Sequence, residues 1–263
     1  QELKGRVMGY FGLPGFVMMG IGPLIGEALR DSWGMAGTFT LIVVNFIAVG
    51  FILRCLPRPL APKGTRRETF QQIFKKNFPK LKPVIFFSFF FGFSFSSWHT
   101  FLAPTVSWIG PGAISNFGGG YGTGAFMTRL GISTRIDTGK KRMIAISSLI
   151  LYGLGLALIP HAIYSWQLGL IGLLCGMSHG VYYPALSSIA AERFHPLHTG
   201  SAMSLYLSAS SLGMFLGPPL WGFVGDRGGY VWIFAAAGFF LICSTLAFVI
   251  SRSWSPARRL LWK

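Results

Sequence analysis

GRVMGYFGLPGFVMMGIGPLIGEALRDSWGMAGTF, residues 5–39, is a stretch that the chain states twice. A shift of 195 positions returns Gly200 for Gly5, Met203 for Met8, Met214 for Met19 and Gly217-Pro218 for Gly22-Pro23. Asp226 then stands for Asp31, Gly229 for Gly34 and Phe234 for Phe39, with no gap. Each copy reads as a long apolar segment, a short polar turn and a second apolar segment. A repeat of this length is one structural unit used twice. Two Gly-rich membrane helices agree in part by composition alone, but here Asp also keeps phase with the turn.

The 263 residues are 52% hydrophobic and 11% charged, with mean hydropathy +0.55. Soluble domains carry about 25% charge, which excludes that class. A hydrocarbon layer of about 30 Å takes about 20 apolar residues as a helix. Eight stretches qualify, at 7–29, 33–53, 83–108, 112–131, 142–161, 165–191, 200–225 and 230–251. Their apolar runs are continuous rather than alternating, so they predict helices and an all-α membrane protein with eight spans.

Net charge +16 raises nucleic-acid binding, and its distribution argues against it. Over eight crossings, 21 of the 23 Lys and Arg fall on the side of Lys4 and Arg6; Arg30 and Arg227 are the other two. That one-sidedness is the positive-inside bias, and it predicts both ends of the segment in the cytoplasm. Cys55, Cys175 and Cys243 sit in or beside apolar helices without CxxC spacing. They predict neither a disulfide framework nor a zinc site. There is no HExxH or phosphate-cradling loop, so no enzyme, cofactor or metal is expected. The chain opens on Gln1 without a signal peptide. With halves about 195 residues long, roughly 150 residues and four helices are expected ahead of it.

Span one is rich in glycine, including Gly9, Gly22 and Gly26, with Pro23 permitting a bend. Glu27 near its end reads as solvated or paired, or as a proton carrier. Residues 54–82 form a basic connection. In it Thr65 and Glu68 are spaced as a capping box, and Phe70, Ile73, Phe74 and Phe78 recur at helical spacing among lysines. That pattern suits either a short helix on anionic headgroups or a solvated linker. Span three is aromatic and carries Trp98 and His99 mid-span; His99 reads as a ligand or proton contact, or as a hydrogen-bonded packing residue. Span four has Asn116 among small residues, and span six has His179 and Tyr183 four apart on one face. Span seven carries Tyr206. Polarity thus collects on spans one, three, four, six and seven, while two, five and eight are plain. This suggests an inner ring around a cavity and an outer ring against lipid.

Taken together, these features resemble the major facilitator superfamily, whose twelve helices form two six-helix halves related as parallel repeats. The resemblance covers helices five to twelve. Residues 1–53 would close the N-terminal half, 54–82 would be the central cytoplasmic loop, and 83–263 the C-terminal half with a basic tail. The plain spans would be the family's peripheral helices. The family's signature between helices eight and nine is echoed by Arg129-Leu-Gly131 and by Asp137-Thr-Gly139-Lys140-Lys141-Arg142, with one residue fewer between acid and Gly and Thr138 where Arg is usual. Its implied role is a charge latch, with Asp137 set against the start of span one near Lys4 to Gly9. An antiporter-associated pattern on helix five is met by Gly9, Gly22-Pro23 and Gly26, and departed from at Met18 and Glu27.

The resemblance implies a secondary active transporter working by alternating access on a small organic solute. The antiporter-like pattern tilts it toward export by proton antiport from the plasma (inner) membrane. Proton or sodium would be the coupling ion, anionic lipid the surroundings, and a monomer the state. Trp98, His99, Asn116, His179, Tyr183 and Tyr206 are the expected cavity residues. None of the seven acids lies mid-span, so His99, His179 and Glu27 are the coupling candidates in this segment. An uptake symporter and a non-transporting sensor or assembly protein remain alternatives.

Overall fold

The computed structural model describes residues 13–55, 70–110, 112–132, 141–192 and 199–253, with backbone alone at 13, 16, 23, 27, 70–80, 132, 199 and 251–253. These ranges hold seven helices: α1 (Leu13–Cys55), α2 (Phe70–Val106), α3 (Ala113–Ile132), α4 (Lys141–Leu158), α5 (Ser165–Glu192), α6 (Thr199–Gly228) and α7 (Tyr230–Ser253). Short 3-10 turns follow at Ser107–Ile109 and Ile159–His161, and the described residues contain no strand. Continuous apolar sequence favours this outcome, because a helix satisfies its own backbone polar groups where water is absent.

The first helix is two segments. Gly34 breaks it with φ 64° and ψ −166°, a conformation that a side chain disfavours. Its counterpart 195 positions on, Gly229, has φ 90° and separates α6 from α7. The two statements of the repeat therefore turn on the same glycine. Eight helical segments result, in line with the eight expected spans. One boundary differs. Residues from Phe70 onward run into the third span as a single helix rather than forming a separate surface helix.

Four stretches are long and apolar enough to cross a membrane on their own: Ala28–Cys55, Leu81–Ile109, Lys141–His161 and Tyr230–Ile250. The segments that fall short, α3, α5, α6 and the start of α1, are those rich in glycine and polar residues. The plain segment after Gly34 is exposed along nearly its whole length, with Phe46 and Phe51 more than 70% exposed. An apolar face of that extent belongs against lipid or another apolar surface.

Glycine sets the helix pairings. An added Cβ on Gly120 or Gly176 would fall onto the carbonyl oxygens of Gly169 and Tyr121, which locks α3 against α5. Gly92 and Gly213 meet the carbonyls of Ser210 and Phe89 in the same way between α2 and α6. Gly153 and Gly238 do so between α4 and α7. Bare backbone lets helices approach closely where lipid supplies no hydrophobic drive. Trp221 Nε1 donates to Phe93 O at 2.8 Å, and Ser94 Oγ to Ala237 O at 3.1 Å, tying α6 and α7 to α2. Besides α1 on α3, the main contacts, all among α2–α7, are α3 with α5, α2 with α6, α4 with α7, α4 with α5 and α2 with α7. Exchanging α2-α3-α4 for α5-α6-α7 maps this set onto itself, the pattern of two three-helix repeats.

Candidate functional site

Helical periodicity brings Phe91, Phe95, Trp98, His99 and Leu102 to one side of α2. Opposite stand Phe117 and Tyr121 of α3, and His179, Tyr182 and Tyr183 of α5. The His179 ring lies 4.7 Å from Phe91 and 5.8 Å from Phe95, centroid to centroid. Its Nδ1 is 2.6 Å from the Tyr121 hydroxyl. Trp98 packs at 5.1 Å on each of Phe95, Phe117 and Tyr121, and its indole N–H donates to Tyr152 Oη of α4 at 2.8 Å. Tyr183 meets Tyr206 of α6 edge to face at 5.5 Å. The cluster is a single wall of rings crossing five helices.

Beside this wall, between α1, α2 and α3, opens a cleft of about 420 Å³. Met18 and Met19 line one side, Trp98, His99, Leu102 and Ala103 a second, and Ile114 and Gly118 a third. Gly20 lets α1 lie close over Gly118 and Gly122. Among the described residues, no charged side chain lines the cleft. Thioether and indole surfaces suit an apolar or aromatic organic molecule, and polarisable Met adapts to irregular shapes.

Of the expected cavity residues, Trp98 and His99 line the cleft. His179, Tyr183 and Tyr206 join the ring cluster behind it. Asn116 stands apart: it is exposed and donates to Ser165 Oγ at 2.6 Å, tying α3 to the start of α5. Arg129 is buried at 4% exposure, with its guanidinium 4.9 Å over the Tyr183 ring. In sequence it belongs to the loop signature that begins Arg129-Leu-Gly131. Lys141 pairs with Glu192 at the end of α5 and donates to Ser188 Oγ at 3.0 Å. Gly22 and Gly26 have open space where a side chain would be. Gly9, Asp137, Gly139 and Lys140, and the side chains of Pro23 and Glu27, lie outside the described residues.

Residues 109–260, more than half of the chain, match the family model described as Major Facilitator Superfamily. The chain belongs to the major facilitator superfamily. No curated protein matches it. As a member of the superfamily it is an integral membrane protein of the secondary-transporter class, acting on small molecules.

Met18 and Met19 of the cleft are not among the expected cavity residues, and neither are Tyr121 and Tyr152 of the ring cluster. Both tyrosines are almost wholly buried, and Tyr152 belongs to span five, which is plain in sequence. The available signal was a mid-span phenol, whose hydroxyl needs a partner when buried.

Proposed function

We propose that this superfamily member exports a small organic solute by alternating access, driven by proton antiport. The single observation that carries the reading is the uncharged cleft of Met18, Met19, Trp98 and His99 where α1 meets α2 and α3. In this reading residues 1–53 end the first half of the transporter, 54–82 link the halves, and 83–263 form the second, so the cleft lies between halves. The basic ends lie in the cytoplasm of a plasma (inner) membrane, following the one-sided charge.

The coupling group is an imidazole in this segment or a residue outside it. His99 is exposed at the cleft, whereas His179 is held behind it by Tyr121. His99 is thus the better placed to exchange a proton with solvent. The latch formed by Arg129, Asp137, Gly139, Lys140 and Lys141 closes the cytoplasmic side. The pairing of Lys141 with Glu192 supports a charge network there.

The test is flux of ethidium in vesicles holding the full-length protein under an imposed pH gradient. Gradient-driven accumulation in inside-out vesicles, lost in His99→Ala while exchange persists, is the expected result. Equal flux with and without protein sinks the transporter reading. Full pH dependence in both His99→Ala and His179→Ala removes the coupling assignment alone. Asp137→Asn should move cysteine labelling toward the inward-open pattern, and unchanged labelling removes the latch.

A further inference from the structure

Helix α4 turns Leu151, Leu154 and Leu158 outward, all more than a third exposed. Yet it sends one phenol inward. Tyr152 is 1% exposed, its ring is 4.9 Å from Phe91, and its hydroxyl accepts the Trp98 indole N–H at 2.8 Å. A buried indole N–H needs an acceptor, and the acceptor's position decides how the ring is turned about its side-chain bonds. Trp98 is itself a wall of the cleft. Its neighbours Phe95, Phe117 and Tyr121 are rings without a fixed polar direction toward it in this contact. The Tyr152 bond adds that direction.

We infer that Tyr152, on a peripheral helix, is a positioning residue for solute recognition: it fixes the plane of Trp98 so that a planar aromatic solute stacks on the indole in the cleft. This rests on the transporter reading of the cleft. The solute class follows from the described lining: no charged side chain, two thioethers, one imidazole and one oriented indole. A flat neutral or monocationic aromatic gains stacking or cation–π attraction there and leaves no buried charge of the protein unpaired.

The experiment measures ethidium binding to the purified full-length protein, together with the emission of Trp98 taken as the difference between parent and Trp98→Phe spectra. Tyr152→Phe keeps the ring against Phe91 and removes the acceptor. The expected result is about fivefold weaker binding, the scale of one hydrogen bond, with a shifted Trp98 emission. The double variant Tyr152→Phe/Trp98→Phe should bind no more weakly than Trp98→Phe alone. Losses that multiply, or an unmoved Trp98 emission in Tyr152→Phe, overturn the positioning role while leaving the cleft reading intact. Unchanged affinity in Trp98→Phe overturns the cleft as the ethidium site, and the stacking with it. If Tyr152→Phe fails to fold, replacing Trp98 by 3-benzothienylalanine removes the donor from the other side. The same loss is then expected, and wild-type affinity overturns the role.

Discussion

The Tyr121 hydroxyl lies 2.6 Å from Nδ1 of His179, joining α3 to α5 through the ring cluster. The His179 tautomer decides which of the two groups donates. Tyr121 is fully buried, so its hydroxyl makes this contact out of reach of bulk water. Tyr121→Phe is expected to cost about 1–3 kcal/mol of stability, read as a lower unfolding midpoint in detergent. Tyr164→Phe is the control, since that side chain is 60% exposed, and it should be near neutral.

The glycine contacts divide by what faces them. Gly176→Ala drives a methyl group into the Tyr121 carbonyl, and both partners are backbone. Loss of several kcal/mol, or no folded protein, is expected. Gly119→Ala, with nothing within 4 Å, should leave the midpoint within about 0.5 kcal/mol of the parent. Equal effects at the two positions would contradict the packing described.

Gly34 and Gly229 both have positive φ and open surroundings. The cost of Ala at either is therefore backbone strain alone, about 1–3 kcal/mol, and similar at both. Gly22→Ala, in open space within α1, is the comparison and should be far milder. Chemical unfolding of the three variants side by side checks this.

The Lys141–Glu192 pair joins the start of α4 to the end of α5, with side-chain exposures of 15% and 58%. At that exposure a double-mutant cycle on Lys141→Ala and Glu192→Ala should give a coupling under about 1 kcal/mol, falling with added salt. A larger coupling that resists salt would mean that the pair is shielded as described pairs of this exposure are not.

Much of this architecture was legible in residue order. Span number followed from continuous apolar runs, and the hairpin turn from a glycine repeated in register at 34 and 229. The ring cluster was half legible. Trp98, His179, Tyr183 and Tyr206 stood out as polar groups inside apolar segments, and they do assemble. Tyr152 did not stand out, because one phenol among aliphatic side chains carries no periodic signal. Its role depends on a residue 54 positions away. Asn116 misled for a related reason: an amide in a span looks like a cavity group until its partner, Ser165, is known. Arg129 lay at the edge of a charged loop motif, and only packing shows its guanidinium turned onto Tyr183.

Where Gly120 rests on Gly169 and Gly176 on Tyr121, no compressible layer separates the two rods. At these glycines there is no side chain to re-rotamerise, so one cannot creep along the other there by small steps. The couple therefore moves as one lever, and any widening of the neighbouring crevice has to be taken up elsewhere, at seams cushioned by methionine and leucine.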